Sequence, residues 1–238
     1  MDKKLSVILP TYNEAKNLPI LVNDLINEFN KIGIEYEIII VDDYSPDGTW
    51  EIALNLENEI DRVKSIIRKK EKGLASAIKT GIENSTFPFI CIMDTDLSHP
   101  PKDISRMVKH IGGYDMVWAS RYINGGRMKA LGKKWIQKWF SYLFNLYIKN
   151  ILGIQILDST NGFFITKRSV LDPVDLDEVF NGYGDFSFKL LYQLKDKNIS
   201  MLEIPFTYEE RRFGSSKTYL VNISIKYIKE SLKLIMFK

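Results

Sequence analysis

Cysteine and histidine are almost missing from this chain: Cys91, His99 and His110 are all there is in 238 residues. That excludes a disulfide framework, and no Cys/His spacing suits a structural zinc site. Cys91 falls inside a predicted strand and reads as a small buried apolar residue in a reducing compartment. Long hydrophobic runs are missing too. The longest uncharged, aromatic-rich stretch, Trp139 to Ile148, lies between Lys138 and Lys149 and is too short to cross a bilayer. The apolar stretch behind the N-terminal lysines ends at Pro10 and reads as a first strand, not a signal peptide. A net charge of +3 is too small to argue for nucleic acid. No Gly-x-Gly-x-x-Gly follows a predicted strand, so a dinucleotide fold has no support. Internal repeats and low-complexity linkers are also lacking.

What is present is an ordinary globular composition, 45% hydrophobic and 26% charged. Apolar strand patterns alternate with helical ones: strands at 5–10, 36–42, 63–68, 88–94 and 115–119, with helices near 16–31, 48–59, 73–84 and 101–111 between them. This order predicts an α/β fold with right-handed crossovers and a mostly parallel twisted sheet flanked by helices. Beyond residue 120 the pattern loosens into an aromatic and basic stretch, a strand at 162–166, a helix at 185–196, a strand at 200–207 and a last helix at 218–237. One domain is expected, with a nucleotide-sugar half at about 1–97 and an acceptor half at about 98–238.

Three of the strands end in acids. Ile90–Met93 runs into Asp94-Thr95-Asp96, Leu5–Pro10 into Thr11-Tyr12-Asn13-Glu14, and Tyr36–Val41 into Asp42-Asp43-Tyr44-Ser45-Pro46-Asp47-Gly48. In an open α/β sheet the carboxyl ends of the strands form the rim where ligands bind. Two carboxylates as close as Asp94 and Asp96 repel unless a cation joins them. A hard ion, Mg²⁺ or Mn²⁺, with phosphate oxygens completing its shell, resolves that repulsion.

Together with Ser120-Arg121-Tyr122, Asp158-Ser159-Thr160-Asn161-Gly162-Phe163-Phe164 and Arg211-Arg212-Phe213-Gly214-Ser215-Ser216-Lys217, these motifs resemble the inverting family 2 glycosyltransferases of GT-A fold. Within that family the chain is most similar to the dolichyl-phosphate (polyprenyl-phosphate) mannose synthases. The resemblance covers nearly the whole sequence. It implies a nucleotide-sugar site lined by Pro10, Tyr12, Glu14, Val41, Asp43, Asp94, Thr95, Asp96, Arg211 and Lys217. It places metal ligands at Asp94 and Asp96, with Ser98 where relatives carry a longer oxygen ligand. Asp94, Asp96 and Arg121 are the implied catalytic residues. Arg121, with Lys133 and Lys134 nearby, is expected to meet an acceptor phosphate.

The implied reaction moves mannose from GDP-mannose to a dolichyl or other polyprenyl phosphate. A UDP-sugar donor such as UDP-glucose, or a hydroxyl acceptor, are the alternatives. A phosphate acceptor with a second pKa near ~6 needs no general base; a hydroxyl acceptor would need one, and Asp185 is the candidate. The helix expected over 133–149 carries a narrow polar stripe, Lys134, Lys138, Ser141, Asn145 and Lys149, and is apolar over the rest of its girth. Such a helix is either core or lies partly in lipid. The expectation is a peripheral protein on the cytoplasmic face of a membrane, held there directly or through a small membrane-anchoring partner.

Overall fold

The computed structural model describes residues 3–129, 134–213 and 220–236. Its elements run β1 (Lys4–Thr11), α1 (Leu18–Ile32), β2 (Glu35–Asp42), α2 (Thr49–Glu59), β3 (Val63–Ile67), α3 (Leu74–Asn84) and β4 (Phe89–Ile92). They continue with α4 (Pro101–His110), β5 (Met116–Ser120), β6 (Arg127–Met128), α5 (Lys134–Leu152), β7 (Phe164–Lys167), α6 (Arg168–Leu171) and α7 (Leu176–Val179). Then come α8 (Phe186–Leu194), β8 (Met201–Pro205), β9 (Thr207–Tyr208) and α9 (Leu220–Met236). The short β6, α6, α7 and β9 have too few residues to show a periodicity, and the sequence pattern misses them.

Seven strands form one sheet in the order β3-β2-β1-β4-β7-β5-β8. β1 to β4 run parallel, as do β5 and β8, while β7 is antiparallel to both its neighbours, β4 and β5. The mostly parallel α/β sheet predicted from the alternation is therefore present. β6 and β9 pair separately, extending past the ends of the main strands.

Both faces of the sheet are covered, which is why its strands read as continuous apolar runs. On one face Leu5, Val7, Leu9, Ile38 and Ile40 pack under α1 and α4, with Leu21, Leu25, Phe29, Ile104 and Met107. On the other, Ile8, Ile92, Trp118 and Phe164 meet α3, α5 and α8 through Ile78, Ile82, Ile148, Leu152 and Phe188. Each such side chain taken from water contributes about 1.5–3 kcal/mol. At Gly81 α3 comes so near β1 that a Cβ would collide with the Ile8 side chain.

α5 leaves much of its apolar surface uncovered. Its polar Asn145 is buried, whereas Trp139 and Phe140 are 57% and 59% exposed and Leu143, Leu146 and Ile151 are exposed as well. α9 repeats the arrangement: Ser231 is buried, and Ile225, Ile228, Leu232, Ile235 and Met236 face outward. The two helices are joined by a hydrogen bond between the Tyr147 and Ser231 hydroxyls at 3.2 Å. Ile148 and Leu152 of α5 join the core while its other side stays exposed, so the helix is only half covered.

Asp115 staples the far side of the sheet. Its Oδ1 accepts from Lys167 Nζ at 2.7 Å, and its Oδ2 from Ser200 Oγ at 2.6 Å and Ser200 N–H at 2.9 Å. These hydrogen bonds, Lys167 first, hold the Asp115 carboxyl down at about 2. The unfolded value is near 3.9, so the native state favours the ionised form and the stabilisation is lost as pH falls through that window. The difference in unfolding free energy between wild type and Asp115→Asn is expected to be full above pH ~5 and to close toward pH ~2, as measured by urea unfolding at a series of pH values.

Candidate active site

The parallel β2, β1 and β4 bring three acid-bearing tips to one edge, with Thr11 level with Asp42 and Ile8 level with Ile92. The first two tips are sewn together. Asp42, wholly buried, accepts from Ser45 N–H (2.9 Å), Ser45 Oγ (2.7 Å) and Thr11 Oγ1 (3.0 Å). Asn13 N–H donates to Ser45 Oγ at 2.9 Å, Glu14 N–H to Thr49 Oγ1 at 2.9 Å, and Ala15 N–H to Asp47 at 3.1 Å. Asn13 and Tyr44 take the left-handed backbone these turns need, with φ of 61° and 52°. Asp42 and Asp47 are thus turn-builders that present their neighbours.

Asp43 is one of those neighbours, and its carboxylate is already engaged. Arg68 Nε donates to Oδ1 at 2.7 Å, with Nη2 on the same oxygen, and Gly73 N–H donates to Oδ2 at 2.7 Å. Arg68 is itself buried and also reaches Ser76 and the Gly73 carbonyl. Asp43 and Arg68 therefore form one unit that holds the 68–73 loop beside the cleft. Tyr12 is half-buried, with Lys72 Nζ 5.3 Å above its ring. Val41 and Pro10 help to build this edge. The Val41 side chain is buried against Ile39 and Ala77, and its carbonyl accepts from Thr11 Oγ1. The Pro10 carbonyl accepts from the buried Thr95 hydroxyl at 3.0 Å. All three lie at the expected edge, but their polar atoms tie strand tip to strand tip.

Asp94 and Asp96 differ sharply in surroundings. Asp96 Oδ1 accepts from Ser98 N–H at 3.0 Å and Ser98 Oγ at 2.5 Å, and its Oδ2 from Arg211 Nη2 at 2.9 Å and Nε at 3.1 Å. Burial would raise the Asp96 carboxyl, but Ser98, His99 and Arg211 together hold it below the usual range. Ser98, expected as a metal ligand, is wholly buried, and its hydroxyl serves Asp96. Asp94 sits on the cleft floor with its side chain 42% exposed. The protein packed around it raises its carboxyl, and the charge of Asp96 adds to that, against His99, Arg211 and Arg121. A cation would relieve both causes, so the pair fits a divalent ion. Among the described residues no third His, Cys, Asp or Glu joins them.

Arg211 links this pair to the first strand: its Nη1 lies 3.2 Å from Glu14 Oε1, and Glu14 also accepts from Asn17 Nδ2 at 2.6 Å. On the other side of the cleft Arg121 makes a fork on buried Asp158, Nε to Oδ2 at 2.8 Å and Nη2 to Oδ1 at 2.6 Å. Burial works against the Arg121 cation, but the charge and hydrogen bonds of Asp158 outweigh it and raise its pKa. Glu203 on β8 accepts from Leu157 N–H and Asp158 N–H at 3.0 and 3.2 Å and so anchors the loop that carries Asp158. Tyr208 lies between the two sides, 5.7 Å from the Arg121 guanidinium; burial first, then the charges of Asp96 and Asp94, push its pKa up to about 12.

Asp185 is wholly buried at the start of α8, 2.7 Å from Lys189 Nζ. Lys189 and the Tyr183 N–H overcome the effect of burial and lower its pKa. Lys133 and Lys217 lie outside the described residues, and Lys134 is described only as the first residue of α5. The sequence reading did not single out Arg68, His99, Glu203 or Tyr208. Arg68 carried a usable signal, since it closes β3 with a charge just as the acids close their strands.

The geometry can be set beside known proteins. The model of the family described as "Glycosyl transferase family 2" matches residues 6–174. A dolichol-phosphate mannosyltransferase of Pyrococcus furiosus is 37% identical over 219 residues, covering 90% of this chain and 59% of its own length. A polyprenol monophosphomannose synthase of Mycolicibacterium smegmatis is 33% identical over 222 residues, 91% of this chain and 82% of the relative. The chain therefore spans about three-fifths of the Pyrococcus relative, 59% of it. In fold it is similar to glucosyl-3-phosphoglycerate synthase from Mycobacterium tuberculosis, solved with Mn²⁺, UDP and phosphoglyceric acid. That likeness has a TM-score of 0.74 at 16% identity, over 98% of this chain and 78% of the other. With its acid-tipped strands gathered on one edge of a mostly parallel sheet and a family match over residues 6–174, the chain belongs to glycosyl transferase family 2.

Proposed function

We propose that this protein transfers mannose from GDP-mannose to a dolichyl or other polyprenyl phosphate, with inversion at C1, at a membrane surface. The names of the Pyrococcus and Mycolicibacterium relatives support the sugar and the acceptor class. The observation that carries the lipid acceptor is the link between α5 and Arg121. Thr160 Oγ1 lies 3.3 Å from Arg121 Nη2 and 2.9 Å from Asn145 Nδ2, on the inner stripe of α5. The outer face of that same helix is Trp139, Phe140, Leu143 and Leu146. An apolar, aromatic surface thus stands one helix width from the cation expected to receive the acceptor phosphate. No helix among the described residues is long and apolar enough to cross a membrane, and peripheral seating of α5 and α9 in the headgroup layer meets the need for access to a lipid.

In this reading Asp94 and Asp96 would hold Mg²⁺ or Mn²⁺, which would supply Lewis-acid neutralisation of the departing diphosphate. Glu14 and the Asp43–Arg68 unit border the nucleotide. An oxygen of the lipid phosphate, already ionised, attacks C1 of the sugar from the face opposite the diphosphate. The new C1–O bond forms as the bond to the nucleoside diphosphate breaks, and the electron pair leaves with the diphosphate. Arg121, fixed by Asp158, orients the incoming phosphate without needing to accept a proton. Arg211, held between Asp96 and Glu14, would supply positive charge beside the diphosphate. The burial of Asp185 against Lys189 supports a structural acid there and a phosphate rather than hydroxyl acceptor.

Purified protein assayed with a panel of nucleotide sugars, a short polyprenyl phosphate and Mn²⁺ or Mg²⁺ is expected to turn over GDP-mannose above UDP-glucose. Asp94→Asn and Asp96→Asn are expected to abolish transfer. Arg121→Lys keeps a charge against Asp158 but loses the fork, and is expected to cost about 2–4 kcal/mol in kcat/KM. Asp185→Asn should retain most of the rate. A dead Asp185→Asn beside an active Arg121→Lys would point to a hydroxyl acceptor instead.

The membrane surface has its own test. The protein is expected to float with anionic liposomes at low salt and to release at high salt, since lysines near such a surface contribute roughly ~1 kcal/mol each. Replacing Trp139 and Phe140 with Ser is expected to slow transfer to long-chain acceptors more than to short, water-soluble ones.

A further inference from the structure

The turn that carries the acid pair clamps itself shut. Leu97 takes φ 64°, a backbone that L side chains adopt rarely, and the bend returns residues 98 and 99 onto the two acids. Ser98 takes Asp96, as described above. His99 takes Asp94: the Asp94 N–H donates to His99 Nδ1 at 3.1 Å. With Nδ1 accepting, the neutral ring carries its proton on Nε2, and Nε2 lies 3.9 Å from Asp94 Oδ2. That is beyond hydrogen-bond range, so the tie to Asp94 is made at Nδ1.

The ring itself cannot swing. His99 is almost wholly buried, stacked on Phe163 at 4.8 Å and edged by Phe206 at 5.7 Å and Tyr208 at 5.8 Å. An aromatic box of this kind would accept phenylalanine as readily. What imidazole adds is a ring nitrogen that accepts from the main chain of Asp94. Asp94 is also the acid whose carboxylate opens to the cleft, whereas Asp96 is fixed by Ser98 and Arg211.

We propose that His99 is a positioning residue for Asp94, holding its main chain through Nδ1 so that the open carboxylate faces the cation site. This rests on the metal role given to Asp94 above. Groups that orient a metal ligand from behind commonly govern affinity for the ion, and their loss costs about 10- to 100-fold.

The test is Mn²⁺ binding by electron paramagnetic resonance, in the presence of GDP and, separately, UDP, alongside thermal unfolding. His99→Phe keeps the stack on Phe163 and is expected to melt near the wild-type temperature while binding Mn²⁺ about 10-fold or more weakly. His99→Asn places an acceptor where Nδ1 stood and is expected to recover part of that loss. Wild-type Mn²⁺ affinity in His99→Phe, or no recovery in His99→Asn, would overturn the proposal. Should His99→Phe fail to fold, His99→Asn must bind Mn²⁺ more tightly than His99→Gln, which cannot place its acceptor at the Nδ1 position; equal affinities overturn it. Asp94→Asn serves as the control. If it binds Mn²⁺ as wild type does, the metal role of Asp94 fails; if it loses the ion while the His99 variants do not, only the role of His99 fails.

Discussion

Carboxylates gathered at the ends of parallel strands repel one another, and the structure around the cleft is organised by how each is answered. Asp42 is met by Thr11 and Ser45, Asp43 by Arg68 and the Gly73 N–H, Glu14 by Asn17 and Arg211, and Asp158 by Arg121. Each answer also sets a loop in place. The 42–49 turn is fastened to the β1 tip, the 68–73 loop to the β2 tip, and the segment after β9 to the acids behind β4. Electrostatic necessity and loop placement are here one constraint, because a buried carboxylate without its partner costs several kcal/mol.

Much of this was legible because a sheet covered on both faces leaves a plain trace. Continuous apolar runs such as Ile38–Val41 admit little but a buried strand, and the acids that end them mark the rim. What the pattern could not convey is direction within the rim. Val41 and Asp43 stand two residues apart, yet one points under α3 and the other toward Arg68, a distinction that depends on the twist and on which helix lies beneath. Ser98 was legible as an oxygen near the acids, but not its turn toward Asp96, which follows from the left-handed Leu97.

Polarity alone leaves the inner side of α5 undetermined. In α5 a narrow polar stripe beside a broad apolar surface suggests which side meets water, and for a helix docked on a core that inference holds. Here Asn145 faces inward because Ser159 and Thr160 need its amide, with Oδ1 accepting at 2.9 and 3.0 Å. Polar groups required by a loop cannot also define the outside of the helix. Sequence periodicity measures segregation of side chains and is blind to which side the protein claims.

The antiparallel β7 carries a consequence for synthesis on the ribosome. β5 has only β7 and β8 as neighbours in the sheet, and β7 also closes the open side of β4. Residues 116–120 therefore emerge with no strand to pair with until residues 164–167 follow, and α5, with its outward Trp139 and Phe140, appears in the interval. Unpaired strand edges and exposed apolar surface are what make partly made chains aggregate. A nascent chain of this design thus passes through a vulnerable stretch of elongation in which a chaperone is the natural companion.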